Sequence, residues 1–169
     1  MNLERHIARM KRNADTIQYM VRGISYERVQ WKPAPDSWSV LEVINHLYDE
    51  EREDFRPRLD LILHNPNQPL QSIDPVGWVN ERQYNQRDLD ASLLKFMDER
   101  RESLRWLGTL QSPNWDAVYQ MPWGPMTAGD MFASWITHDM LHMRQIVRLQ
   151  WLYARQELDP YEVTYAGSW

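Results

Sequence analysis

His138 and His142 stand one helical turn apart in an apolar run near the end of the chain. On a helical wheel Met131, Trp135, His138, His142, Ile146 and Leu149 fall within an arc of roughly 80°, so both imidazoles face the interior. Burying two imidazoles among apolar side chains is costly unless each ring nitrogen finds a partner, and one cation would satisfy both rings. The competing reading is a pair of core histidines bonded to carboxylates or backbone. His46 adds to the pattern from an earlier segment. It falls at the edge of an apolar helical face beside Val43 and Leu47, with Glu50 one turn further on and within about 40°. His46, His138 and His142 together make a three-imidazole set. Glu50 or Asp49 would then serve as an extra ligand, a group that orients a ligand, or a proton-transfer group, against the plainer reading of Glu50 as an exposed helix carboxylate. Three protein ligands leave a tetrahedral or octahedral ion at least one position for water or substrate, the pattern of catalytic rather than structural sites. Imidazoles favour Zn²⁺, Ni²⁺ or Fe²⁺ over Mg²⁺ and Ca²⁺, and zinc is the first expectation. His6 and His64 lack a matching partner pattern and are assigned no role.

Four amphipathic segments would carry these residues, so the expected fold class is all-α. The first spans about Asn2 to Arg22, with Gly23 as its stop. A connection rich in Pro and Trp, from Trp31 to Trp38, leads to Ser39 and Glu42, a capping box that starts the second helix near Val40. That helix continues to about Leu63, and Pro57 inside it predicts a kink or a break. The stretch from His64 to Arg87, holding Pro66, Pro69, Pro75 and Gly77, is long enough to travel the length of a bundle as a crossover. The third helix is placed from Asp88 to Leu110. An irregular connection from Gln111 to Met126 closes on Thr127, which with Asp130 repeats the capping logic. The fourth helix runs to about Ala154, and the tail, about 155–169, shows no period.

A chain of 169 residues, 43% of them hydrophobic, suits one domain spanning 1–169 with one sizeable core. A net charge of −5 lacks the positive field that phosphate-backbone binding requires, so no nucleic acid partner is expected. The basic stretches from Arg5 to Arg12 and around Arg100 and Arg101 are interleaved with acids and read as solvated helix faces. With no cysteine, disulfides, thiolate metal sites and a cysteine nucleophile are excluded; sulfur chemistry would need a thiol carried by a substrate. No apolar run approaches membrane-spanning length, and a cytoplasmic protein is expected.

The segments PDSWSVLEVINHLYDEE, Pro35 to Glu51, and WGPMTAGDMFASWITHDMLHMRQI, Trp123 to Ile146, resemble the DinB/YfiT-like superfamily. The resemblance covers most of the chain, since helix order and connection lengths fit as well. It implies an up-down-down-up four-helix bundle and a divalent ion held by His46, His138 and His142. Many members also have a histidine just before the last ligand, where this chain has Leu141; all three presumed ligands remain. Similar proteins include transferases and isomerases that use low-molecular-weight thiols such as bacillithiol or mycothiol. The leading expectation is therefore an enzyme whose metal lowers the pKa of a bound thiol or water and acts on a small-molecule substrate, with transferase chemistry on a low-molecular-weight thiol placed first and metal-dependent hydrolysis as the alternative. Its rival is a non-catalytic metal- or ligand-binding module. Trp38, Trp123 and Trp135 are candidates to wall the pocket, although packing is the commoner role of tryptophan. A homodimer is expected from the many Trp and Met and from dimers in similar proteins.

Overall fold

In the computed structural model, which describes residues 1–167, Asn2 opens the first helix by accepting the Arg5 backbone N–H at 2.9 Å. Helix α1 (Leu3–Val21) buries Met10, Asn13, Ala14, Ile17 and Val21, and the chain turns at Gly23, whose φ of +79° suits glycine. A short helix absent from the sequence reading, α2 (Tyr26–Gln30), is capped by Ser25 and buries Val29. Five residues carry too little periodicity to announce a helix. The box at Ser39 forms as expected: Ser39 Oγ accepts from the Glu42 N–H at 3.1 Å, and the Glu42 carboxylate accepts from the Ser39 N–H at 2.8 Å. It opens α3 (Val40–Glu50).

The kink or break expected at Pro57 takes the form of a π-helical turn, Glu51–Phe55, directly between α3 and α4 (Arg56–His64). Pro57 has no N–H to return to the preceding turn, and widening that turn absorbs the mismatch while the rod continues. The crossover that follows holds two small elements, α5 (Gly77–Glu81) and a 3₁₀ turn, Tyr84–Gln86. Asp88 caps α6 (Leu89–Thr109) through the Ala91 N–H at 2.8 Å. The connection read as irregular instead folds as an antiparallel hairpin, β1 (Val118–Met121) and β2 (Gly124–Thr127), in register Val118↔Thr127 and Met121↔Gly124. Strands of four residues interrupted by proline give no readable alternation. The Tyr119 hydroxyl ties the hairpin to the crossover, accepting from the Leu70 N–H at 3.1 Å and donating to the Gln68 carbonyl at 3.2 Å. Thr127 and Asp130 then cap α7 (Ala128–Glu157), which runs three residues past the expected end. Ser168 and Trp169, in the tail, lie outside the described residues. No helix among the described residues is long and apolar enough to cross a membrane.

Helix α6 packs on α1 and α3, and α7 packs on α1, α3 and α4, giving a four-helix bundle in which α3, the π-turn and α4 count as one rod. Two apolar clusters define its ends. One joins Ile17 and Val21 late in α1 with Leu41 and Ile44 early in α3, Leu93 and Phe96 early in α6, and Ile146 and Leu149 late in α7. The other joins Met10, Leu59, Leu107 and Phe132 from the opposite halves of the same rods. The first and fourth rods therefore run one way and the middle two the other, which is why the second connection must cross the whole bundle. Between the clusters every rod contributes buried polar groups: Asn13; His46, Asp49, Glu50 and Glu51; Arg100 and Ser103; and Asp139 and His142. This polar belt is the candidate functional layer.

Candidate metal centre

Helix α7 places His138 and His142 one turn apart, and their Nε2 atoms stand 3.0 Å from each other. Helix α3 brings His46 to the same point, with ring centroids 4.8 Å from His142 and 5.4 Å from His138. One potential ligand atom from each of the three lies within 4.8 Å of the others. Ligand nitrogens sharing an ion at bond lengths near 2.1 Å sit roughly 3 to 3.5 Å apart, so the α7 pair already has the needed spacing and His46 needs only a small approach.

The donors fit such an ion chemically. His46 Nδ1 is buried and has no hydrogen-bond partner, an orphaned lone pair or N–H that a protein interior rarely tolerates. His142 Nδ1 donates to Gln145 Oε1 at 2.8 Å, which leaves the lone pair on Nε2, the atom facing His138. Burial pushes His46 down to about 3, helped by the neighbouring His142, and pushes His138 down to about 2, helped by His142, His46 and Arg100. Burial also lowers His142, against the opposing pull of Gln145 and Asp139. All three rings are neutral at pH 7 and hold free electron pairs.

Around the rings, Trp38 stands with its centroid 4.8 Å from that of His46 and lies parallel to His142 at 6.4 Å, beside the imidazoles rather than only in the core packing that was the commoner expectation. Trp135 is buried, donates from Nε1 to Glu51 at 2.9 Å and stacks on Phe55, which in turn faces His138 at 4.9 Å. Trp123 does not wall the pocket. It occupies the hairpin turn and is 71% exposed, because a two-residue turn points its side chains outward. His6 sets its ring edge against Phe132 and His64 pairs with Asp60 on the surface, both apart from the cluster.

The two carboxylates singled out in the sequence part company. Asp49 accepts from the Tyr84 hydroxyl at 2.5 Å and pairs with Arg82 at 2.8 Å and Arg52 at 3.0 Å, so it fastens the crossover to α3. The same bond holds the Tyr84 hydroxyl well above its ordinary range, after burial as the larger cause. Glu50 is buried with Oε1 unpartnered, which corrects the exposed-carboxylate reading. Burial, with Asp54 close by, raises its carboxyl to about 9. It holds a proton at neutral pH.

Sequence reasoning missed Glu51, Arg100, Asp139 and Gln145. Arg100 was read as part of a solvated face and is instead only 2% exposed. Its place four residues after Phe96 and four before Leu104, on the apolar stripe, was the available signal.

The sequence model of the DinB superfamily matches residues 9–146, a span that holds all three histidines. The chain belongs to the DinB superfamily. Among solved structures, this DinB-superfamily chain is similar to YfiT from Bacillus subtilis, with a TM-score of 0.76 at 16% identity over 92% of this chain and 87% of that one. YfiT is described as "a probable metal-dependent hydrolase with an unusual four-helix bundle topology". At that identity the likeness shows the fold, and the chemistry of the DinB-superfamily chain has to be argued from its own residues. Among curated proteins no sequence matches it.

Proposed function

We propose that this chain is a hydrolase of small molecules that depends on a divalent ion, zinc first, held by His46, His138 and His142. The observation that carries the reading is three neutral imidazoles, His46 and His142 buried and His138 half-buried, converging where one of them has an orphaned nitrogen. The metal-dependent hydrolase described for YfiT supports the reaction class. A divalent ion held by these rings would supply Lewis acidity toward water and a substrate carbonyl.

The chain's own residues do the rest. Gln145 fixes the His142 tautomer. A cleft of about 580 Å³ begins at Trp38 and Gln145 and continues along Leu149 and Leu152, with Asp36 and Ser37 also in its wall, offering a slot of mixed polarity beside the site. Arg148, also in the cleft wall, makes no ion pair among the described residues and stands in position to meet a substrate anion. Glu50, one turn after His46, is the proton donor to a leaving group, because its carboxyl stays protonated at the pH where the imidazoles are neutral. Activation of a low-molecular-weight thiol would use the same layer and draws on the missing cysteine and the family resemblance.

Zinc-loaded protein is expected to turn over simple esters or amides above a His142→Ala control. Turnover only with a thiol plus an electrophile would select the transferase chemistry. No turnover in either panel would reduce the protein to a binding module.

Glu50→Gln gives a second test with two readouts. The folded carboxyl binds its proton up to about 9, whereas the unfolded one releases it near 4.5. Over that window the folded state holds more protons, so stability falls as pH rises. The glutamine variant escapes this loss and is expected to be more stable than wild type by about 2–4 kcal/mol at pH 8, with the gain shrinking toward pH 5. Urea unfolding at the two pH values measures it. The same variant is expected to lose about a hundredfold in kcat. Equal stability at both pH values would show that Glu50 is ionised in the fold.

A further inference from the structure

Resting on the metal-centre reading above, we infer that Asp139 and Glu51 are positioning residues that supply the counter-charge for the cation: two carboxylates on one guanidinium leave a net single negative charge buried beside the imidazoles. All five N–H groups of Arg100 are used. Nε and Nη2 donate to Glu51 at 2.7 and 3.0 Å, Nη1 and Nη2 donate to Asp139 at 2.9 and 2.8 Å, and Nη1 also donates to the Met10 carbonyl at 3.0 Å. Two of the same oxygens also accept from neutral donors, Glu51 Oε2 from Trp135 Nε1 at 2.9 Å and Asp139 Oδ2 from Asn13 Nδ2 at 3.0 Å. One positive charge thus faces two negative ones, with all three side chains at most 2% exposed.

Elsewhere in the interior the accounts close. Among the described residues Glu42 pairs with Lys32 at 2.6 Å, Asp49 and Glu53 together meet Arg82 and Arg52, and Glu50 keeps its proton. Only the Glu51–Arg100–Asp139 group is left with an excess, and an uncompensated buried charge is strongly unfavourable unless something of opposite sign lies near. Three neutral imidazoles have the complementary deficiency, since they bring no charge to a divalent ion. The two lie together. Asp139 follows His138 directly and precedes His142 by three residues on the buried side of α7. Trp135 links Glu51 through Phe55 to the His138 ring. Neutralising Asp139 would leave the guanidinium facing the ion.

The test compares Zn²⁺ affinity, by competition with a chelator, in wild type, Asp139→Asn, Glu51→Gln and Asn13→Ala, with far-UV circular dichroism as the check of folding. The two charge-neutralising variants lie on different rods, yet both are expected to lose roughly 10- to 100-fold in affinity. The loss should persist at about 0.5 M salt, because buried charges are poorly screened. Asn13→Ala removes a hydrogen bond to Asp139 without changing charge and should stay within about threefold of wild type. A folded Asp139→Asn or Glu51→Gln with wild-type affinity would overturn the inference, and so would an Asn13→Ala loss as large as theirs. Unfolding of both neutralised variants would assign the carboxylates to the scaffold alone and overturn it equally. Failure of the wild type itself to bind Zn²⁺ is a separate outcome, which defeats the metal centre first and this inference with it.

Discussion

Zn²⁺ added to metal-free protein at about a thousandfold excess over Kd is expected to stabilise the fold by about 4 kcal/mol, raising the melting temperature by about 8–16 °C. The magnitude follows from mass action, because an unfolded chain cannot bring His46 within reach of His138 and His142, which lie about ninety residues away in sequence. His142→Ala is expected to abolish the shift while leaving a folded bundle. The ring it removes is 9% exposed, is hydrogen-bonded to Gln145 and His138, and belongs to neither apolar cluster, so both clusters keep their members. A thermal scan with and without metal reads both. A wild-type shift below about 1 °C with Zn²⁺ and Ni²⁺ alike would end the metal reading for this chain.

Arg100→Met should be the most damaging single substitution in the belt, costing about 3–5 kcal/mol in metal-free protein. The guanidinium holds Glu51 of the π-turn, Asp139 of α7 and the Met10 carbonyl of α1 at once, so it fastens three rods to its own. Methionine has the volume but leaves two buried carboxylates without a cation. Urea unfolding would register the cost, and a change under 1 kcal/mol would mean that the carboxylates find water or protons instead. Arg101, its neighbour in sequence, supplies the contrast. It is 59% exposed and pairs with Asp98 across one turn, so Arg101→Ala is expected to fall within about 0.5 kcal/mol of wild type.

Much of the local structure was written in short-range chemistry. The boxes at Ser39–Glu42 and Thr127–Asp130 are contained in four residues each and form where the spacing places them. The apolar stripe of α7 and the inward direction of His142 follow from a period of 3.6, which needs no knowledge of neighbours. Pro57 announced a disturbance by its missing N–H, although its form as a π-turn depended on the rod continuing to pack on α7. The hairpin and α2 escaped notice because a handful of residues has no periodicity to read.

What the chain by itself determined is which residues face inward on each rod and where the rods begin. What only the tertiary structure decided is height. A helical wheel gives an angle about an axis and says nothing of how far one rod has slid past another. That offset is set by the crossover, pinned through Tyr84 and Arg82 to Asp49, and by the packing of two apolar clusters at opposite ends. It brings His46 level with His138 and His142, and it puts Arg100 between Glu51 and Asp139. Local spacing carries no information on that level, since the partners are distant in sequence and the energy that aligns them belongs to the assembled core.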